Sequence, residues 1–170
     1  MSILKFFKSL ERSWHYTRTL TDRISGASLG SAHGIALFTP VYTSDENNNI
    51  VHYKEEGTFV NVSGKEMVTH QEYLYIYKKQ TNSIEKHFTK DDVDAGLFYV
   101  LNFESEASGA SGTHMCIKDY YQAKYQFLSF SKFKLEYTVI GPAKNYVSST
   151  LFEKLEEPLE NEKPAKKLAL

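Results

Sequence analysis

The sequence predicts an all-β fold, an antiparallel up-and-down β-barrel with a short N-terminal helix capping one end. Three observations lead there. The chain carries 12 Tyr and 11 Phe against 1 Trp, mostly where polar and apolar residues alternate, the pattern of a pleated and half-buried surface. Those stretches are separated by hairpin-sized groups of Gly, Ser, Asn and Asp. Between them there is no strong signal for a crossover helix, so neighbouring strands run antiparallel, and closure into a barrel removes the exposed edges.

Residues 3–10 (ILKFFKSL) set Leu4, Phe7 and Leu10 at helical spacing and predict the helix that plugs one barrel end. Strands are expected at 14–22, 32–41, 50–60, 66–78, 83–90, 97–104, 113–129, 133–141 and 145–154. The clearest is the fourth. There Tyr73, Tyr75 and Tyr77 share one face while Leu74 and Ile76 share the other, so both faces carry bulky groups. The breaks fall at SGASLGS, TSDENNN, SGK, QTN, DDVDAG, SEASGASG and GPAK. The two Gly/Ser-rich segments read as flexible loops at a barrel rim. Residues 1–154 are expected to form a single barrel domain, and the charged, aromatic-poor stretch 155–170 a disordered tail.

Composition limits what such a barrel does. A chain of 170 residues with 41% hydrophobic content supports one core. The balance of 20 basic against 21 acidic residues gives no bulk field to draw in nucleic acid or an anionic membrane. No segment approaches the roughly 20 apolar residues of a spanning helix. The lone Cys116 has no internal disulfide partner, and MSILKFFKSLERSW lacks the apolar run and cleavage site of a secretory signal, so a cytoplasmic location is expected. The glutamate-rich C-terminal tail also resembles effector secretion signals in composition, which leaves a translocated effector or interaction domain as an alternative.

Six strings in order carry a family resemblance: WHYTR at 14–18, GIALF at 34–38, HYKEEG at 52–57, QEYLYIY at 71–77, HMCIKDYY at 114–121 and YTVIGPAKNY at 137–146. Together they resemble a bacterial family known as domain of unknown function 6314, over residues 6–154. The resemblance implies a calycin, or lipocalin-like, barrel that holds a small ligand, and it implies no activity. The family commonly has glycine where this chain has Arg12, and the segment 43–49 is longer here.

The candidate site residues follow from strand parity. His114 and Cys116 face the same way, yet i and i+2 neighbours on a strand stand about 7 Å apart, too far for a Cys–His nucleophile pair. A metal would need a third ligand of that kind, and there is no CxxC, HxxxH or second cysteine, so no metal is expected. The spacings that cradle a phosphate-bearing cofactor are missing too, and no cofactor is expected. Asp119 and Tyr121 share the opposite parity. A carboxylate there must be paired or hydrogen-bonded, either by a ligand's donor or by Arg18 or Lys144. Tyr53, Glu55, Gly57 and Phe59 also share a face, and an inward Glu55 is the best polar anchor of an aromatic cavity. Tyr53, Glu55, Tyr73, Tyr75, His114, Asp119 and Tyr121 are therefore the expected ligand-binding set. Trp14, Arg18 and Lys144 resemble a barrel closure in which a basic side chain stacks on an N-terminal tryptophan. The functional expectation is binding of a small, mostly apolar or aromatic ligand by a monomer or weak dimer. The alternative is an enzyme in the same cavity, with Glu55, His114 or Asp119 as acid–base groups.

Overall fold

A computed structural model describes residues 2–104 and 108–156. The helix α1 (Ile3–Leu10) is followed by ten strands: β1 (Arg12–Asp22), β2 (Ser28–Val41), β3 (Asn48–Asn61), β4 (Glu66–Lys78), β5 (Ser83–Lys90), β6 (Val93–Phe103), β7 (Gly109–Cys116), β8 (Asp119–Ser129), β9 (Lys132–Ile140) and β10 (Asn145–Lys154). Each strand pairs antiparallel with its chain neighbours, and β1 pairs with β10 to close the barrel. This is the fold class that the sequence predicts. The segment from 157 onward, where a tail is expected, lies outside the described residues.

Alternation along each strand puts one set of side chains inside. On β1 these are Trp14, Tyr16, Arg18 and Leu20, and on β3 they are Val51, Tyr53 and Glu55. The helix seals the end where β1 begins. Ser2 caps it by accepting from the Lys5 amide at 3.2 Å, and Phe6, Phe7 and Leu10 are buried. Phe6 packs on Phe127 with centroids 3.9 Å apart, and Phe7 on Tyr77 at 5.7 Å. Arg12 adopts φ +115°, a backbone region that favours glycine.

Four boundaries differ from those read in the sequence. The run 113–129 is two strands, turned at Ile117–Lys118 between paired Cys116 and Asp119. Ile117 takes φ +56°, unusual for a β-branched residue, and no Gly, Asn or Pro announces the turn. At DDVDAG the turn is confined to Asp91 and Asp92, both with positive φ as a two-residue type I′ hairpin demands, and β6 begins directly at Val93. The expected rim loops SGASLGS and SEASGASG end inside strands: Ser28–Ser31 opens β2 and Gly109–Gly112 opens β7. Gly112 is there for space, since any Cβ would fall on the Tyr99 ring.

Gly34 and Gly57 face one another across β2 and β3. A Cβ on Gly57 would overlap the His33 carbonyl oxygen and the Tyr16 hydroxyl. Gly57→Ala is expected to cost about 1–3 kcal/mol through this overpacking, read as a lowered midpoint in thermal denaturation. An unchanged midpoint would show that the two strands can part without loss.

Candidate functional site

The barrel is filled at the helix end and hollow at the other. From the helix upward, Phe133 and Phe152 stack at 4.5 Å and Trp14 meets Phe133 edge-on at 5.1 Å. Above them Phe38, Tyr53, Tyr75 and Tyr125 complete a dry layer. Towards the opposite mouth this packing gives way to a cavity of about 230 Å³ lined by Leu20, Ala32, Phe59, Phe98, Val139 and the tyrosines 73, 121, 137 and 146. Arg18, Thr69, Gln71 and Ser148 supply its polar points.

An ion pair sits at the floor. Arg18 Nη1 and Nη2 donate to the two carboxylate oxygens of Glu55 at 2.7 and 2.8 Å, and Arg18 Nε donates to Thr150 Oγ1 at 2.8 Å. The Tyr53 hydroxyl also donates to Glu55. Glu55 has no exposed side-chain surface, against 13% for Arg18. Burial alone would lower the Arg18 pKa, but the Glu55 carboxylate outweighs it and the guanidinium stays firmly charged. Beside the pair the Tyr16 hydroxyl and Thr69 Oγ1 are buried next to one another, with no hydrogen-bond partner beyond each other. Burial raises the Tyr16 pKa, and the nearby Thr69 hydroxyl offsets part of that rise.

Next to the floor stands a residue that lies outside the set expected from the sequence. Lys86 on β5 is 2% exposed. Its Nζ donates to the Tyr137 hydroxyl at 2.8 Å and lies 3.9 Å from the Tyr73 ring centroid, with Tyr75 and Tyr137 rings at 5.2 and 5.4 Å. From Tyr137 a chain of hydroxyls runs through Tyr99 (2.6 Å) and Tyr125 (2.8 Å) to Tyr75 (2.9 Å). Desolvation pulls the Lys86 pKa down to about 7, although Glu55 acts to raise it. Burial pushes the surrounding tyrosines up, Tyr73 to about 12 and Tyr99, Tyr125 and Tyr137 well above their ordinary value. The sequence does carry a signal for this residue, because Lys86 shares parity with Ile84 and Phe88.

The remaining expected residues fall into two groups. Tyr53, Glu55, Tyr73 and Tyr75 converge at the floor with Arg18. His114 and Tyr121 pair across β7 and β8 near the mouth, and the His114 ring meets Phe88 and Phe98 edge-on at 5.6 and 5.2 Å. Asp119 is bound at the rim by Lys144 at 2.8 Å, and Lys144 also donates to the Tyr121 hydroxyl at 2.9 Å. Those hydrogen bonds, Asp119 first, raise the Lys144 pKa. The expected closure needs a correction. The cation over Trp14 is Lys154, with Nζ 5.2 Å from the ring and donating to the Ser9 carbonyl at 2.6 Å, while Trp14 Nε1 donates to the Leu10 carbonyl at 2.8 Å. Lys144 lies at the opposite end because β10 runs the full barrel length between them, and Arg18 belongs to the cavity floor. Cys116 is exposed.

One cluster among the described residues has metal-ligating atoms close together: His52, Glu72 and Asp92, all within 4.8 Å of one another. It is on the outer face, and the Lys54 ammonium already occupies it, 2.9 Å from Asp92 and 3.5 Å from Glu72.

A closed antiparallel barrel, plugged by a helix at one end and hollow at the other, defines the calycin-like class. Residues 10–154 match the model of the family of unknown function DUF6314, and the chain belongs to that family. No curated protein matches it. Among solved structures, the S-type phycobiliprotein lyase CPES from Guillardia theta is similar, with TM-score 0.71 and 11% identity over 93% of this chain and 95% of that one. A redesigned β-barrel, mFAP1, bound to DFHBI, has TM-score 0.41 and 11% identity over 88% of this chain and 99% of that one. The likeness to the lyase is one of fold. Among the described residues, no helix is long and apolar enough to cross a membrane.

Proposed function

We propose that the barrel binds a small, mostly aromatic molecule with one hydrogen-bonding end, inserted polar end first through the open mouth. The supporting observation is the cavity itself: aromatic walls, an ion-paired floor, and the Tyr16 and Thr69 hydroxyls buried beside it with no partner beyond each other. Buried polar atoms are normally satisfied, so a ligand oxygen or nitrogen at this point supplies what the protein leaves open. Rings 73, 98 and 137 offer parallel faces, since Phe98 stacks on Tyr73 and Tyr137 at 5.8 and 6.2 Å. Acid–base use of Glu55 or Asp119 finds less support, since Arg18 and Tyr53 hold one carboxylate and Lys144 the other.

2-Naphthalenemethanol serves as the probe, followed by quenching of intrinsic fluorescence and by thermal shift. Wild-type protein is expected to bind it saturably. Ala32→Phe, which puts a ring into the lumen from a wall position, is expected to weaken binding by about tenfold or more, equivalent to roughly 1.4 kcal/mol. Binding that survives this change unaltered would move the ligand out of the barrel.

A further inference from the structure

We propose that Lys86 is a carbonyl-capturing amine, which condenses with an aldehyde-bearing aromatic ligand in the cavity to form an imine. This rests on the binding reading above and adds a reaction to it.

A lysine is rarely buried unless it is paired. Lys86 is buried, and among the described residues no carboxylate pairs with it, because Arg18 takes both oxygens of Glu55. A methionine would occupy similar space without the desolvation penalty, so packing offers an amine here no more than the cation–π attraction of the surrounding rings. The geometry gives a chemical reason for it. Tyr73, Phe98 and Tyr137 line the cavity and also surround Nζ, at 3.9, 5.8 and 5.4 Å from their ring centroids. The amine stands behind the aromatic wall on which a planar ligand would stack, outside the cavity lining itself, and a carbonyl reaches it only by turning these rings aside. Desolvation leaves a large share of it neutral at pH 7, which is the nucleophilic form.

The reaction balances without an oxidant or reductant. The Nζ lone pair adds to the carbonyl carbon, a C–N bond forms and the carbonyl π pair moves to oxygen. A proton passes from nitrogen to that oxygen, and Tyr137, hydrogen-bonded to Nζ and backed by Tyr99, is placed to relay it. The nitrogen lone pair of the carbinolamine then forms the C=N bond as the hydroxyl leaves as water with a proton from the same relay, and the resulting iminium returns its N–H proton to that relay to give the neutral imine. Hydrolysis reverses each step.

The test uses wild-type protein with 2-naphthaldehyde and sodium cyanoborohydride at pH 7, followed by intact mass and peptide mapping. The expected result is one secondary-amine adduct, mapped to residue 86 and formed at least tenfold faster than adducts on exposed lysines. Excess 2-naphthalenemethanol should slow it, and Lys86→Met should abolish it. Adducts scattered over surface lysines, with residue 86 unmodified, would overturn the proposal. Because the alcohol binds without condensing, saturable binding of the alcohol without an adduct at residue 86 sinks the imine and leaves the binding reading standing. Failure of the alcohol to bind sinks that reading separately. The mapping is made on wild-type protein, so its outcome does not depend on folding of the variant.

Discussion

Glu55→Gln is expected to lower the unfolding free energy by about 3–5 kcal/mol, the usual loss when one partner of a buried ion pair is removed. The substitution keeps the volume and discards the charge. Arg18 would then hold a guanidinium over the Tyr16 ring, 5.0 Å from its centroid, with Thr150 and the new amide oxygen as neutral acceptors and no counter-charge. Urea denaturation at pH 7 reads the loss directly. The double change Arg18→Met with Glu55→Leu should restore much of it, because two apolar groups avoid the desolvation that makes the unpaired charge costly. A loss below about 1 kcal/mol, the range of an exposed bridge, would mean that water reaches the floor and that the cavity is not dry there. Binding of the naphthalene probe should weaken in the same variant if Arg18 swings into the lumen.

How much of this site is legible in the sequence depends on parity. Glu55 is legible because it lies between Tyr53 and Gly57 on the face of a strand that also carries Phe59. Arg18 stands out in the sequence, but its pairing with Glu55 does not. Trp14 and Arg18 do share a face, yet they stand four positions, about 13 Å, apart along the strand, so one closes the barrel and the other anchors the floor. Lys86 is hidden because it sits between Glu85 and His87, and a charged run reads as a solvated face even though Ile84 and Phe88 fix its direction inward. The opening of β7 is obscure for a different reason. Its glycines look like loop residues, and only the Tyr99 ring on the neighbouring strand β6 explains Gly112. Strand alternation is local information, whereas partners such as Arg18 and Glu55, or Lys86 and Tyr137, come from strands whose meeting depends on barrel closure and register. The sequence carries the first kind openly and the second only through the fold.

Lys86→Met is expected to stabilise the protein, and by an amount that depends on pH. The folded-state pKa of about 7 lies below the ordinary lysine value of 10.5, so between these values the unfolded chain binds more protons than the folded one. Stability of the wild type therefore rises with pH across this window, and the penalty is fully present below it. Each pH unit between the two values is worth roughly 1.36 kcal/mol, so the penalty at pH 7 is on the order of 4 kcal/mol and fades towards pH 10.5. Methionine carries no such proton. Its advantage over lysine should be greatest at and below pH 7 and should shrink as pH rises. The groups facing Lys86 do not obscure this. Burial holds Tyr53, Tyr73, Tyr75, Tyr99 and Tyr137 above their ordinary value, and Arg18 stays charged beside Glu55 throughout. Paired urea titrations of the two proteins from pH 6 to pH 10 measure the difference. A difference independent of pH would show that Lys86 keeps an ordinary pKa, with its ammonium reached by water, and would remove the neutral amine on which imine formation depends.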